Sequence, residues 1–236
     1  MTEPGVMTNL RVLGVDACKS GWVGIALSGS ALTPYHAGDI ADLVAEAEDE
    51  GSIDVVAIDI PIGLPDTGRR QADVLAREAA GPRWASVFIT PVRAAIEAGD
   101  YLAAAEANRR LANEGVSRQA FALRPKLRQV DQWVRRTRHR VVEIHPEVSF
   151  AMLAGSHLNV RKSSWSGAHR RSELLAGEGI ILAGDLGEAG AAAGVDDVLD
   201  AAVAAWTARR VARGEARTLP DPPQRFSDGL ACAIWA

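Results

Sequence analysis

Short apolar runs alternate with longer amphipathic stretches along the chain, and their order predicts a mixed α/β fold. Residues 11–17 carry Val12, Leu13 and Val15 and read as a buried strand. A second strand, with Trp22, Val23, Ile25 and Leu27, follows the turn at 17–20, and residues 32–37 read as a weaker third. Successive strands joined by tight turns form an antiparallel meander. Asp39 has the character of a helix N-cap, and a helix through Glu50 follows, with Leu43 and Val44 on its inner face. Residues 53–60 are predominantly apolar, the signature of a central strand covered on both faces, and Pro61, Gly63 and Pro65 stop them.

The next stretch, roughly 66–138, is helical and loop-rich, with helix candidates at 94–98 and 101–112 where Ala, Glu and Leu dominate. Residues 141–144 resume as a short strand, halted by Pro146. Helices are expected over 163–177 and 195–213, the second preceded by a small-residue loop at 190–194 and rich in alanine, which suits close packing on a sheet. Pro220, Pro222 and Pro223 mark a connection into an apolar end segment, 229–235. Three strands, a helix, a strand, an insertion, a strand and helices define one α/β domain over 1–236, interrupted by the 66–138 insertion.

Composition narrows the class. The 236 residues, 47% apolar and 24% charged, suffice for a sizeable core. There is no 18-residue apolar run, so no membrane span is expected. The polar first nine residues lack the layout of an export signal, and Cys18 and Cys232 are too few for a disulfide framework. A cytoplasmic location is the expectation, with Cys18 a small buried residue and the oligomeric state open. The net charge of −4 argues against a general nucleic-acid coat protein. Residues 118–140, however, hold eight Arg or Lys against Asp131 alone. An acidic body with one basic segment is the asymmetry expected where an anionic partner is gripped locally, and equally of a helix face paired to the acidic body.

The informative positions are acidic. Asp16, Asp59 and Glu143 each sit at the end of an apolar run, and Asp197 and Asp200 open the Ala-rich helix, three residues apart and hence on one face. A carboxylate at the end of a buried strand is costly unless something pairs with it, so a shared cation is the reading that accounts for them together. Asp196 and Asp197 alone would be explained by a helix N-terminus, whose dipole favours acids; Asp16 and Asp59 would not.

Four segments carry a family resemblance: Gly14-Val15-Asp16-Ala17-Cys18-Lys19-Ser20-Gly21-Trp22, Ile58-Asp59-Ile60-Pro61-Ile62-Gly63-Leu64-Pro65, Glu143-Ile144-His145-Pro146-Glu147 and Asp197-Val198-Leu199-Asp200-Ala201. With the terminal segment Gly229 to Trp235, they resemble the bacterial and archaeal family catalogued as domain of unknown function 429, described as a predicted ribonuclease-H-like nuclease. The resemblance implies a five-stranded mixed sheet flanked by helices, with the meander as its first three strands and the long insertion after strand four. It implies acids on strand one, at the end of strand four and on a late helix, where Asp16, Asp59 and the Asp197/Asp200 pair fall. Glu143 is an acid beyond that minimum.

On that reading the protein is a metal-dependent nuclease. Two Mg²⁺ or Mn²⁺ ions roughly 4 Å apart activate a water and stabilise the leaving oxygen of a phosphodiester. Of these five candidate catalytic residues, Asp16 is assigned as the bridging ligand, Asp59 and Asp200 as ligands to one ion each, and Asp197 or Glu143 as auxiliary ligands. Nucleic acid would be contacted by Lys19 in the turn after Asp16 and by Lys126, Arg128, Trp133, Arg135 and Arg136, where bases flank an aromatic able to stack a nucleobase. His145 is read as a ligand, a proton shuttle or a structural residue, and the other tryptophans as core. Two alternatives stand beside the nuclease. One is a phosphotransfer or nucleotide-hydrolysing enzyme of the actin-like class, whose phosphate loop also reads Gly-x-Asp; it lacks a second such loop here. The other is a binding module without catalysis.

Overall fold

The computed structural model describes residues 10–236, and the first nine residues, read above for an export signal, lie outside the described residues. Strands β1 (Arg11–Cys18), β2 (Gly21–Ser28) and β3 (Ala31–Ala37) form the expected antiparallel meander. Helix α1 (Ile40–Asp49) starts where Asp39 accepts a hydrogen bond from the Ala41 amide at 2.8 Å, and it buries Ile40, Leu43, Val44 and Ala47. Strand β4 (Val55–Ile58) then runs parallel to β1, from Val12 opposite Val55 to Val15 opposite Ile58. It is shorter than 53–60, because Pro61 has no amide to continue a ladder and the chain turns after Asp59.

Helices α2 (Gln71–Ala80), α3 (Arg93–Glu97), α4 (Tyr101–Ala112), α5 (Arg118–Ala122) and α6 (Arg124–Val134), with a 3₁₀ turn at Gly81–Ser86, separate β4 from β5 (Val141–Glu143). The chain continues through α7 (Pro146–Ala154), α8 (Trp165–Gly177), α9 (Gly187–Ala192) and α10 (Val195–Arg213) into β6 (Thr218–Arg225) and β7 (Ala231–Trp235). Pro146 therefore ends a strand and opens a helix, since a fixed φ and a missing amide are harmless in a first helical turn. Part of the expected small-residue loop is likewise helical, as α9.

The described residues form a seven-stranded mixed sheet in the order β3-β2-β1-β4-β5-β7-β6, which corrects the expected count of five. The two extra strands come from the tail. Strand β7 lies parallel to β5, with Ile234 opposite Glu143, and the proline-rich segment is not a connection but the edge strand β6. An outer strand tolerates Pro220, Pro222 and Pro223 because its outer amides need no partner, and its pairing to β7 is broken between Leu219 and Gln224.

The period of two along each strand sorts side chains between two layers. Val12, Val55, Ala57 and Val142 face α10, while Leu13, Val15, Val56 and Ile58 face α1 and α6, where Leu127 and Val130 complete the packing. Gly14 lies on the α10 side. A Cβ there would come 2.0 Å from the Ala205 nitrogen and 2.2 Å from the Ala201 carbonyl oxygen, so α10 rests its backbone directly on β1. The alanines of α10 permit that approach. Trp22 and Trp206 are core, but Trp84 and Trp165 are 54% and 84% exposed, which corrects their assignment to the core. No helix among the described residues is long and apolar enough to cross a membrane.

Candidate metal centre

Asp16 continues the Val12, Gly14 series on β1 and so faces α10. The Asp59 amide donates to the Val15 carbonyl at 3.0 Å, which extends the β1–β4 pairing one step and sets Asp59 beside Asp16. Asp200 approaches from the second turn of α10, brought down by the Gly14 contact. Ligand oxygens of Asp16, Asp59 and Asp200 all lie within 4.8 Å of one another. Asp16 Oδ1 accepts from the Ala17 amide at 2.7 Å. Asp200 is 1% exposed; its Oδ2 accepts from Lys162 Nζ at 2.6 Å, and its Oδ1 has no hydrogen-bond partner.

Burial is the first cause that lifts all three carboxyls above the usual carboxylate range. For Asp16 the charges of Asp59, Asp200 and Asp197 add to it, and Lys162 opposes. For Asp59 the Asp200 charge adds and Lys162 again opposes. Asp200 is pushed up to about 6 despite its bond to Lys162. Three carboxylates share one ammonium, so the ionised cluster carries two negative charges in excess. The donors are hard oxygens, suited to Mg²⁺ or Mn²⁺ rather than to a soft metal. An orphaned buried oxygen, the excess charge and the donor chemistry all fit a divalent cation.

Neighbouring acids are differently served. Glu143 lies on the opposite face of the sheet, by the alternation Val142, Glu143, Ile144. Its oxygens accept from Arg70 at 2.7 and 2.6 Å, and the Ile62 amide donates to it at 2.7 Å. Arg70 is fully buried and also approaches Asp73 at 3.6 Å. Burial still raises the Glu143 carboxyl to about 7, against the pull of Arg70. Glu147 is held by buried Arg171 at 3.0 and 2.9 Å. Asp197 accepts from the Gly194 amide at 3.1 Å, closing the first turn of α10.

These groups line one cleft of about 220 Å³ between the strand ends and the insertion, which contributes Ser86, Val87, Phe88, Gln119 and Leu123 to its wall. The expected acids Asp16, Asp59, Asp197, Asp200 and Glu143 all reach it, but only Asp16, Asp59 and Asp200 converge. His145 lines it as well. Its Nδ1 accepts from the Glu147 amide at 3.2 Å, capping α7, and burial lowers its pKa to about 4, which keeps it neutral.

None of the side chains expected to hold nucleic acid lines the cleft. Lys126 donates to the Gly21 carbonyl at 2.6 Å and lies 4.4 Å from the centre of the Trp22 ring. Arg135 pairs with Asp131 at 3.0 Å, and half-buried Trp133 stacks on His139 with ring centres 6.4 Å apart. Lys19, Arg128 and Arg136 are exposed. Sequence reasoning missed Lys162, Arg70 and Arg171. The burial of acids announces that partners exist, but nothing in the spacing of these three basic residues says which acid each meets.

The chain belongs to the family described as "Protein of unknown function (DUF429)", which matches residues 14–225. No curated protein and no solved structure matches it.

Proposed function

We propose that this protein is a divalent-metal-dependent hydrolase of phosphodiesters, a nuclease of the ribonuclease-H-like kind. One observation carries the reading: Asp16, Asp59 and Asp200 are drawn within 4.8 Å of one another with an oxygen of Asp200 buried and unpartnered. Evolution does not need such an arrangement for stability, since each carboxylate raises the cost of ionising the next. The strand order β3-β2-β1-β4-β5, with acids at the ends of β1 and β4 and on a late helix, supports the ribonuclease-H-like comparison.

Asp16, Asp59 and Asp200 would hold the cation. Bound Mg²⁺ or Mn²⁺ supplies Lewis-acid polarisation of a phosphoryl oxygen and a water of lowered pKa. The protein's own contribution is positional. The Ala17 amide orients Asp16, the β1–β4 pairing orients Asp59, and Lys162 orients Asp200. The insertion contributes Ser86, Val87, Phe88, Gln119 and Leu123 to the cleft wall and so narrows access to the acids.

A second reading keeps the chemistry and changes the substrate. The cleft is smaller than the roughly 300–1,000 Å³ of most ligand sites, and the basic segment lies outside it. A small phosphorylated molecule fits those facts as well as a nucleic-acid strand does. One panel separates the readings: labelled single-stranded, duplex, hybrid and branched DNA and RNA, a small aryl phosphodiester, and nucleoside triphosphates, each with Mn²⁺ or Mg²⁺. We expect cleavage of a polynucleotide by wild type and none by Asp16→Asn. Cleavage of the small diester alone favours the second reading, triphosphate hydrolysis alone the phosphotransfer alternative. A folded protein that cleaves nothing in the panel would sink the proposal.

A further inference from the structure

We propose that Lys162 occupies the place of a second metal ion, so that this centre works with one divalent cation and one fixed ammonium. The inference rests on the metal reading above and goes beyond it by setting the stoichiometry. Lys162 Nζ lies 2.6 Å from Asp200 Oδ2 and 3.4 Å from Asp196 Oδ2, on the wall of the cleft that the acids share.

Charge counting favours one ion. Asp16, Asp59 and Asp200, the acids that converge, carry three negative charges and Lys162 one positive, so a single divalent cation brings this inner cluster to neutrality; Asp196, the other acid on Lys162, lies half-exposed toward solvent. A second ion would need further free carboxylates. Glu143 and Glu147 are each engaged by a buried arginine, Asp197 accepts from the Gly194 amide, and half-exposed Asp196 faces the Lys162 ammonium itself at 3.4 Å. A second divalent ion would also stand against the Lys162 ammonium, within a site where like charges are poorly screened.

The lysine lies in the turn that leads into the N-cap of α8. Ser164 donates to the Arg161 carbonyl at 2.8 Å and accepts from the Gly167 amide at 3.1 Å. A Cβ on Gly167 would fall 1.8 Å from the Arg161 carbonyl oxygen, so α8 is packed against the backbone that carries Lys162. Buried Arg171 donates to the Gly167 carbonyl at 3.2 Å and to Glu147, which joins this segment to the cleft wall. Lys162 therefore serves as a positioning residue for Asp200 and as a permanent cation beside the bound ion.

The test counts ions without using activity. Mn²⁺ binding to wild type, Lys162→Met and Lys162→Arg is followed by calorimetry and by electron paramagnetic resonance, which distinguishes an isolated ion from a spin-coupled pair. We expect one uncoupled Mn²⁺ in wild type and in Lys162→Arg. Lys162→Met should take a coupled second ion, or hold its single ion at least about tenfold tighter. Two ions in wild type, or a Lys162→Met protein with one ion at wild-type affinity, overturn the inference and leave the metal site standing. Failure of wild type to bind Mn²⁺ at millimolar concentration overturns the metal reading and this inference with it. The wild-type count decides even if Lys162→Met does not fold.

Discussion

Two groups of acids share one cleft and differ in everything except chemistry and burial. Glu143 and Glu147 each face a fully buried arginine and are bonded at close range. Asp16, Asp59 and Asp200 face one another, with a single lysine bonded to Asp200. The first group is finished as folded; the second is left with charge to neutralise. Arginine braces hold the walls of the cleft, and the uncompensated acids are the part of it we propose to bind a metal. Buried charge of the first kind is matched within the fold, and buried charge of the second kind is not.

The sharpest way to break that comparison is to unmake a brace. Arg70→Met leaves Glu143 and Asp73 buried without their partner, and a loss of about 3–5 kcal/mol in denaturant unfolding is expected. A smaller loss would mean that the two acids pass their charge to solvent or protonate cheaply. Next in size is Gly14→Ala, which removes no charge but lifts α10 off β1. We expect roughly 3 kcal/mol of destabilisation and a weakened Mn²⁺ response, because Asp200 rides on the displaced helix. An unchanged Mn²⁺ response would separate the helix contact from the site.

On the working side the sign reverses. Asp59→Asn removes a repelled charge, so the metal-free protein should gain roughly 1 kcal/mol while losing its stabilisation by Mn²⁺. The effect depends on pH. The folded-state pKa of Asp59 is raised, so the folded protein holds a proton there that the unfolded chain has released. Stability from this group therefore falls as pH rises from the ordinary carboxylate range through the raised folded value. In melting experiments with a chelator, the advantage of Asp59→Asn should be absent near pH 4 and grow toward pH 8. A constant difference would rule out charge repulsion as its cause. His145 acts oppositely: its folded pKa near 4 makes stability fall as pH drops below about 6.5. Comparing wild type and variant at each pH removes that contribution.

The smallest effect is expected furthest from the acids. Replacing exposed Arg128 and Arg136 by alanine should move stability by no more than about 0.5 kcal/mol and leave Mn²⁺ binding untouched. If a polynucleotide crosses α6, its binding should lose about one unit of salt slope per arginine. An unchanged slope removes α6 from the interface.

Much of this was legible along the chain. The meander, the capped α1, the Ala-rich α10 and the acids at 16, 59, 197 and 200 all follow from patterns of two or three to four residues, and local rules act over such distances. The tail misled. Proline speaks against a central strand but not against an edge, and edge or centre is settled only when the sheet assembles. The place of Glu143 was within reach, since alternation along 141–144 puts it on the face away from α10, but that inference needs to know which face α10 covers.

The sequence by itself determined which residue types stand at strand ends and which helix can lie flat on a sheet, because those depend on local period and side-chain size. Tertiary structure alone decided which acids meet one another and which meet arginine. Arg70 and Glu143, like Lys162 and Asp200, are far apart in the chain, and a charge has no sequence period by which to announce its partner. The difference between a braced acid and an unmatched one is made by pairing across space, which no local pattern reports.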